Sequence, residues 1–433
     1  MDEIVTHKPL RIGRPEEPAP GRDWLKLALF AGLGLLVAGG LAAALLGYLG
    51  RRKYNQFSKR ADLIIADYRG AHPPADEAEN AAALFEKALD LYALPPKIGP
   101  LVSPTPDPEA VRAYVQSNAR CLAALMEATG KPALDFGFDV AKGAAPMSGD
   151  VLRFRDMSIL LALSARQAAE SGRPQEGLDL AGRLLWLGAN AGRPGLLVFR
   201  KTQTACELAV PHTLQRVLSA SEPPAPAVEA LLGRVTAYAG SRSKLPAAFD
   251  ATRAWFLVSI RNELAAAKGE KLAARRADGL RDAALLEAHL EASAARAEKP
   301  YWQVAAGLSA EAEDRAIDRL PEWRSFSKAL LRLVPLPSDL IADEAGAVAG
   351  LQAARLGLGC RLCRLKTGKY PETLDELAEG LPEQFPELPA DPCTGEPFRY
   401  RRTGKGCLVW SAGRDRADDG GDPKTDLVFE LKQ

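Results

Sequence analysis

The chain has 433 residues, 47% of them hydrophobic and 26% charged, a globular composition with room for two or three domains. Its 56 Lys+Arg and 55 Asp+Glu leave a formal net charge of +1, so bulk charge gives no support to nucleic-acid binding. Composition alone names no partner.

Residues 1–24 are mostly polar and read as a cytoplasmic tail. A membrane anchor is expected over 25–50, because Leu27–Leu49, "LALFAGLGLLVAGGLAAALLGYL", carries no charge. At 1.5 Å per residue the stretch spans roughly 34 Å, enough for a hydrocarbon core of about 30 Å. A cleaved signal peptide is the other reading, since "LAAALLG" offers small residues, but signal cores usually run to about 7–15 residues and lack so long a polar stretch before them. Basic residues flank both ends: Lys8, Arg11, Arg14, Arg22 and Lys26 before, Arg51, Arg52, Lys53, Lys59 and Arg60 after. The positive-inside rule therefore gives no orientation.

Residues 51–340 read as an irregular α-helical domain. Apolar residues recur every three or four positions in "AENAAALFEKALDLYAL" and "VRAYVQSNARCLAALMEA", with Pro-rich turns between such stretches. "LLALSARQAAESGRPQEGLDLAGRLLWLGANAG" predicts a helical hairpin turning at Ser171–Pro174. It resembles a single tetratricopeptide-like unit, without the repeat near 34 residues that an array requires. "RNELAAAKGEKLAARRADGLRDAALLEAHLEASAARAEK" interleaves acids and bases and predicts one long exposed helix, a candidate partner surface.

Motifs for catalysis are missing from the sequence. His7, His72, His212 and His289 form no HExxH, and there is no GxSxG, Walker loop or dinucleotide fingerprint. Of the six cysteines, Cys360 and Cys363 have CxxC spacing, while Cys393 and Cys407 flank a predicted hairpin. Simple packing, a Cys393–Cys407 disulfide and a four-cysteine metal site all stay open.

The C-terminal region, 341–433, changes character. A helix over Asp343–Leu365 stops at Gly368, and a short one opens at Pro371 with Thr373 as its cap. Two strand-like runs, "FRYRR" and "CLVWSAG", flank Thr403–Gly406, and "DLVFEL" is a last strand. The order "GKYPETLDEL", "DPCTGEPFRY", "LVWSAGRD", "DDGG", "DLVF" resembles the globular end of the type II secretion major pseudopilin. It is also similar to the tail of many bacterial membrane-anchored proteins with a helical middle.

The resemblance implies a calcium-binding loop. Asp415 and Asp426 match its acidic positions, and Asp419, Asp422 and, less closely, Asp418 supply further hard oxygens, with Gly420 and Gly421 allowing a tight backbone. A solvated acidic turn is the alternative, and Ala417 breaks EF-hand spacing. The chain departs from the family in having no prepilin-type cut site or glutamate at the start of its apolar stretch, so it is not expected to polymerise. Since pseudopilin globular ends lie outside the cytoplasm, the resemblance also implies a single-pass protein of the bacterial inner membrane with its N-terminus inside.

The expectation is thus a mainly α protein: an N-terminal transmembrane helix, an irregular helical domain and a small α+β module with antiparallel strands. Its expected function is that of a non-enzymatic interaction protein of the cell envelope, tethered through Leu27–Leu49 and associated with other envelope or secretion proteins, with structural calcium. No nucleic acid and no small-molecule substrate are expected. The alternatives are an envelope hydrolase using carboxylates of the helical domain, and a peptide-binding helical solenoid.

Overall fold

The computed structural model describes residues 22–95, 97–103, 106–143, 150–267, 272–404 and 406–432; side chains of 22–39, 43, 150–152, 272–274, 323, 325 and 326 lie outside the description. Most of the expected tail, 1–21, therefore falls outside the described residues. The chain divides into two compact units, Met1–Gln56 and Phe57–Gln433.

Helix α1, Arg22–Ala71, runs without a break for 50 residues, about 75 Å at the α-helical rise. No proline interrupts it, and Ala and Leu, strong helix formers, dominate its first half. The apolar stretch and the opening of the helical region thus share one helix. Where side chains are described, Leu41, Leu45 and Leu46 are 67%, 58% and 70% exposed. Much of Leu27–Leu49 lies outside the described side chains, and among the described residues no helix is long and apolar enough to cross a membrane. Further along, Ala61, Ile65 and Tyr68 are buried at helical spacing, an amphipathic stripe. Ion pairs Arg60–Glu287, Asp62–Arg261 and Arg69–Asp139 tie this part of α1 to the body of the second unit.

The second unit begins with α2 (Ala82–Asp90), α3 (Pro108–Ser117) and α4 (Ala119–Ala128). The expected hairpin is present as α5 (Asp150–Glu170) and α6 (Pro174–Ala191), turning through Ser171–Arg173. α7 (Leu197–Ala220) packs against both, and α8 (Ala225–Ser241) closes over α6. The charge-laced stretch is not the single exposed helix expected from its sequence. It supplies the end of α9 (Leu245–Ala266) and α10 (Leu272–Ala297), which pack against each other and bury Ala283, Leu286 and Leu290. The packing stripe of α10 is Gly279, Ala283, Leu286 and Leu290, with Gly279 against Leu264 of α9, only two large apolar residues in a stretch dense with charge.

α11 (Tyr301–Val304), α12 (Ala310–Asp318) and α13 (Ser325–Arg332) lead to α14 (Pro337–Thr367), which ends at Gly368 as the sequence predicts. α15 (Leu374–Gly380) starts at the expected cap, Thr373 Oγ accepting the Glu376 N–H at 3.1 Å. Strands β1 (Arg399–Thr403), β2 (Gly406–Ser411) and β3 (Leu427–Lys432) form an antiparallel sheet with β2 in the centre.

The register explains how this sheet is covered. Cys407 and Val409 of β2 stand opposite Leu431 and Phe429 of β3, so these four share one face. The Phe429 ring reaches α14 at Gly357, where a Cβ would lie 2.2 Å from it. Trp410 and Leu408, on the other face, are covered by Gly421 of the loop that follows β2. The sheet is therefore sandwiched between α14 and the acidic loop. Because α14 also packs on α7 and α8, sheet and helices share one continuous hydrophobic core.

Candidate functional site

The acidic loop, 413–426, is built around its own backbone. Asp426, 4% exposed, accepts N–H groups of Gly421 at 2.7 Å and Asp419 at 3.5 Å. Gly420 and Gly421 have φ of +73° and +83°, conformations that a side chain would strain, as the sequence reading anticipated. Asp418 accepts from Trp410 Nε1 at 2.9 Å, Gly420 N at 3.1 Å and Arg399 Nε at 3.2 Å. The Trp410 bond, the Gly420 amide and Arg399 together hold the Asp418 carboxyl below the usual range against a small opposing effect of burial. Asp418, the loop aspartate that fits the expected ligand pattern least closely, locks the loop to the sheet through Trp410 and Arg399.

Asp415 and Asp422 each accept one amide of the same loop, from Ala417 and Lys424, while Asp419 presents an exposed carboxylate. The four expected ligands Asp415, Asp419, Asp422 and Asp426 thus lie in one loop. Among the described residues, however, no three His, Cys, Asp or Glu side chains converge as a metal cage. Free oxygens remain on Asp415, Asp419 and Asp422, so the donor set has the hard-oxygen chemistry calcium requires without a preformed cavity.

Sequence reasoning missed a second constellation in the helical region. Glu207 on α7 is fully buried and accepts Arg242 Nε at 2.7 Å, Arg242 Nη2 at 2.6 Å and Gln203 Nε2 at 2.9 Å, with the Tyr238 hydroxyl as a fourth donor. Glu344 on α14 accepts Arg200 Nη2 at 2.5 Å and Nε at 3.1 Å, and Arg242 Nη2 at 2.9 Å. Beside it, Asp343 bridges Lys201 of α7 and Arg414 at the start of the acidic loop. Two carboxylates and two guanidiniums thereby join α7, the end of α8 and α14.

Electrostatics follow from this geometry. Burial pushes the Glu344 carboxyl up, but Arg242 and Arg200 outweigh it and hold the group below its ordinary value. Burial and the Glu207 charge raise the Tyr238 phenol, which stays neutral as a donor. Each carboxylate is committed to a cation. A hint was available in "FRKTQTACELAV", where Arg200 and Glu207 interrupt an otherwise apolar α7 face, but their partners lie 35–144 residues away.

Two cavities touch the cluster, and a third adjoins the second of them. The first, about 690 Å³, is lined by Lys244, Lys299, Trp302, Asp391 and Glu344 and shares Arg242 and Ser243 with the second, about 290 Å³. The second shares His72 and Arg193 with the third, about 570 Å³, whose walls include Tyr68, Phe136, Phe138, Phe154 and Phe199. Asp391, which the sequence reading passed over, is 2% exposed and receives Ser411 Oγ at 2.8 Å and Cys393 N at 2.9 Å, fixing the "DPCTG" turn.

In this structure no disulfide joins any of the six cysteines. Cys393 packs on Ala345 and Ala349, whereas Cys407 lies beside Cys360 farther along α14. Eleven or more helical residues separate those places, about 16 Å along the axis, too far for a Cys393–Cys407 disulfide. Of the histidines, His72 stacks on Tyr68 at 4.3 Å between centroids, while burial lowers His212 and His289; His7 is outside the described residues. No protein-family model matches the chain, and neither a curated protein nor a solved structure shows significant similarity to it.

Proposed function

We propose that the protein is a non-enzymatic, membrane-tethered interaction protein of the bacterial cell envelope, with a short tail inside and Phe57–Gln433 outside the cytoplasm. The observation that carries the tether is α1 itself: leucines at 41, 45 and 46 stand uncovered on a helix whose preceding residues are equally apolar, and Arg51, Arg52 and Lys53 follow at once. Uncovered leucines on such a helix suit lipid, and the basic triplet suits a headgroup layer. Orientation rests on the resemblance of the tail to pseudopilins, which also points to secretion or other envelope assemblies as partners.

The non-enzymatic reading draws on the central cluster, whose carboxylates would serve a hydrolase but are held by Arg200, Arg242 and Lys201. We assign partner contact to the aromatic cavity. Phe136 is 37% exposed there although its ring neighbours Phe85 and Phe154 are buried. Calcium, held by free oxygens of Asp415, Asp419 and Asp422 beside Asp426, would stiffen the loop that covers the sheet; its place is structural.

The tether is tested by extracting cell membranes at high salt and alkaline pH. The full chain should stay in the pellet, and in sealed spheroplasts external protease should digest Phe57–Gln433. Release by salt would sink the tether, and protection from protease would reverse the orientation. A photo-crosslinking residue at Phe136 should yield defined adducts in cells, and a clean blank there would remove the cavity from the proposal.

A further inference from the structure

Two buried thiols face each other between α14 and the sheet. Cys407 shares a sheet face with Val409, Phe429 and Leu431. Phe429 of that face abuts Gly357, and Cys360 lies three residues on, at the spacing that keeps it on the same side of the helix. Both cysteines are fully buried in one core cluster, between the face of β2 and β3 that carries Phe429 and the side of α14 that carries Gly357. Tyr400, whose Cα pairs with Val409 on β1, contacts Cys407 from the neighbouring strand.

We propose that Cys360 and Cys407 are a disulfide site, oxidised to a cross-link between α14 and β2 when the chain folds in an oxidising compartment; this rests on the extracytoplasmic placement proposed above. The bond would close a loop holding α15, β1 and the Cys393 turn, and so fasten the module to the helix that carries the buried ion cluster.

The chemistry is thiol–disulfide exchange with a disulfide-bearing oxidant. One thiolate attacks a donor sulfur and releases the donor's other thiolate, leaving a mixed disulfide. The second cysteine thiolate then attacks its own partner's sulfur in that mixed disulfide, and the donor's remaining thiolate departs. Two protons and two electrons pass from the cysteine pair to the donor, which ends as two thiols. The neighbouring Cys407 thiol and burial both push the Cys360 thiol well up, so in the closed core it is a poor nucleophile and an inaccessible one. Exchange therefore belongs to folding, before the sheet seats on α14.

The full-length chain should be taken from cell envelopes directly into denaturant with excess iodoacetamide and no reductant. Four of its six cysteines should be alkylated, and digestion should release a peptide pair linked through Cys360 and Cys407. A parallel sample, purified reduced, would be refolded with oxidised and reduced glutathione. Linkage in both arms supports the site. Linkage only with glutathione keeps the pairing but shows that the chain does not meet an oxidising compartment, which removes the placement instead. Six alkylated cysteines in both arms, or a link from Cys407 to Cys363 or Cys393, overturns the site. In Cys360→Ser, Cys407 should become alkylatable, a mass readout that does not depend on how well the variant folds.

Discussion

The buried ion cluster and the acidic loop are both clusters of carboxylates, yet they obey opposite rules. Glu207 and Glu344 are held by guanidiniums from helices distant in sequence, in a place where a lone charge would be intolerable. The aspartates of the loop lie within twelve positions of one another, and all but Asp426 are exposed. In the cluster, long-range pairing makes each member indispensable to the others. In the loop, local N–H groups satisfy some carboxylates and leave others free to meet a cation. The comparison predicts large, unconditional effects in the cluster and small, calcium-dependent ones at the exposed aspartates of the loop.

The largest effect should come from Glu207→Ala, which leaves Arg242 half-paired in the interior. Breaking one partner of a buried pair costs about 3–5 kcal/mol. Urea denaturation of the full chain in detergent should show that loss as a lower midpoint, and Glu207→Gln, which keeps an acceptor, should lose less. A change under about 1 kcal/mol would mean that the cluster is wet and its members independent.

Next is Gly357→Ala. Its new methyl would meet the Phe429 ring, and overpacking of this kind costs about 1–3 kcal/mol. Phe429→Leu should recover part of the loss when combined with it, and a double-mutant cycle measures the coupling. If the two changes were additive, α14 and β3 would not meet at Gly357.

Acid should act on the cluster as well. The Glu344 carboxyl is held below its unfolded value, so its contribution to stability is complete above the ordinary glutamate range and disappears as pH falls through the lowered folded value. Thermal melts taken downward from pH 6 should steepen below about pH 4.5. Arg242→Met should flatten that limb by removing the charge Glu344 answers to.

These predictions track what the sequence makes visible. α15 with its Thr373 cap, the end of α14 at Gly368, the three strands and the α5–α6 hairpin all follow from chemistry within a few residues. The packing of α10 on α9 was hidden because its buried stripe carries only Leu286 and Leu290 as large apolar residues, among many charges. The cluster was hidden for a different reason: Arg200, Glu207, Arg242 and Glu344 are ordinary helix residues until the tertiary fold brings them together. Asp391 lies between these cases, since its turn is local but Ser411, which fixes it, is 20 residues away.

The smallest effects should separate the roles within the loop. Asp426→Ala leaves the Gly421 N–H without its buried acceptor, at a cost of about 1–3 kcal/mol whether or not calcium is present. Asp419 is exposed and its carboxylate accepts no hydrogen bond from the described residues, so Asp419→Ala should change stability in chelator by no more than about 0.5 kcal/mol. Calcium at about 1 mM, acting on a site of extracellular affinity near 0.1–1 mM, should stabilise the unaltered chain by about 0.4–1.4 kcal/mol through mass action. Asp419→Ala should abolish that increment while keeping the chelated melting curve. An Asp419→Ala chain that still answers to calcium would move the cation elsewhere. An unaltered chain that ignores calcium would leave Asp426 and Asp418 as the whole of the loop's chemistry, two carboxylates closing a backbone turn against Trp410.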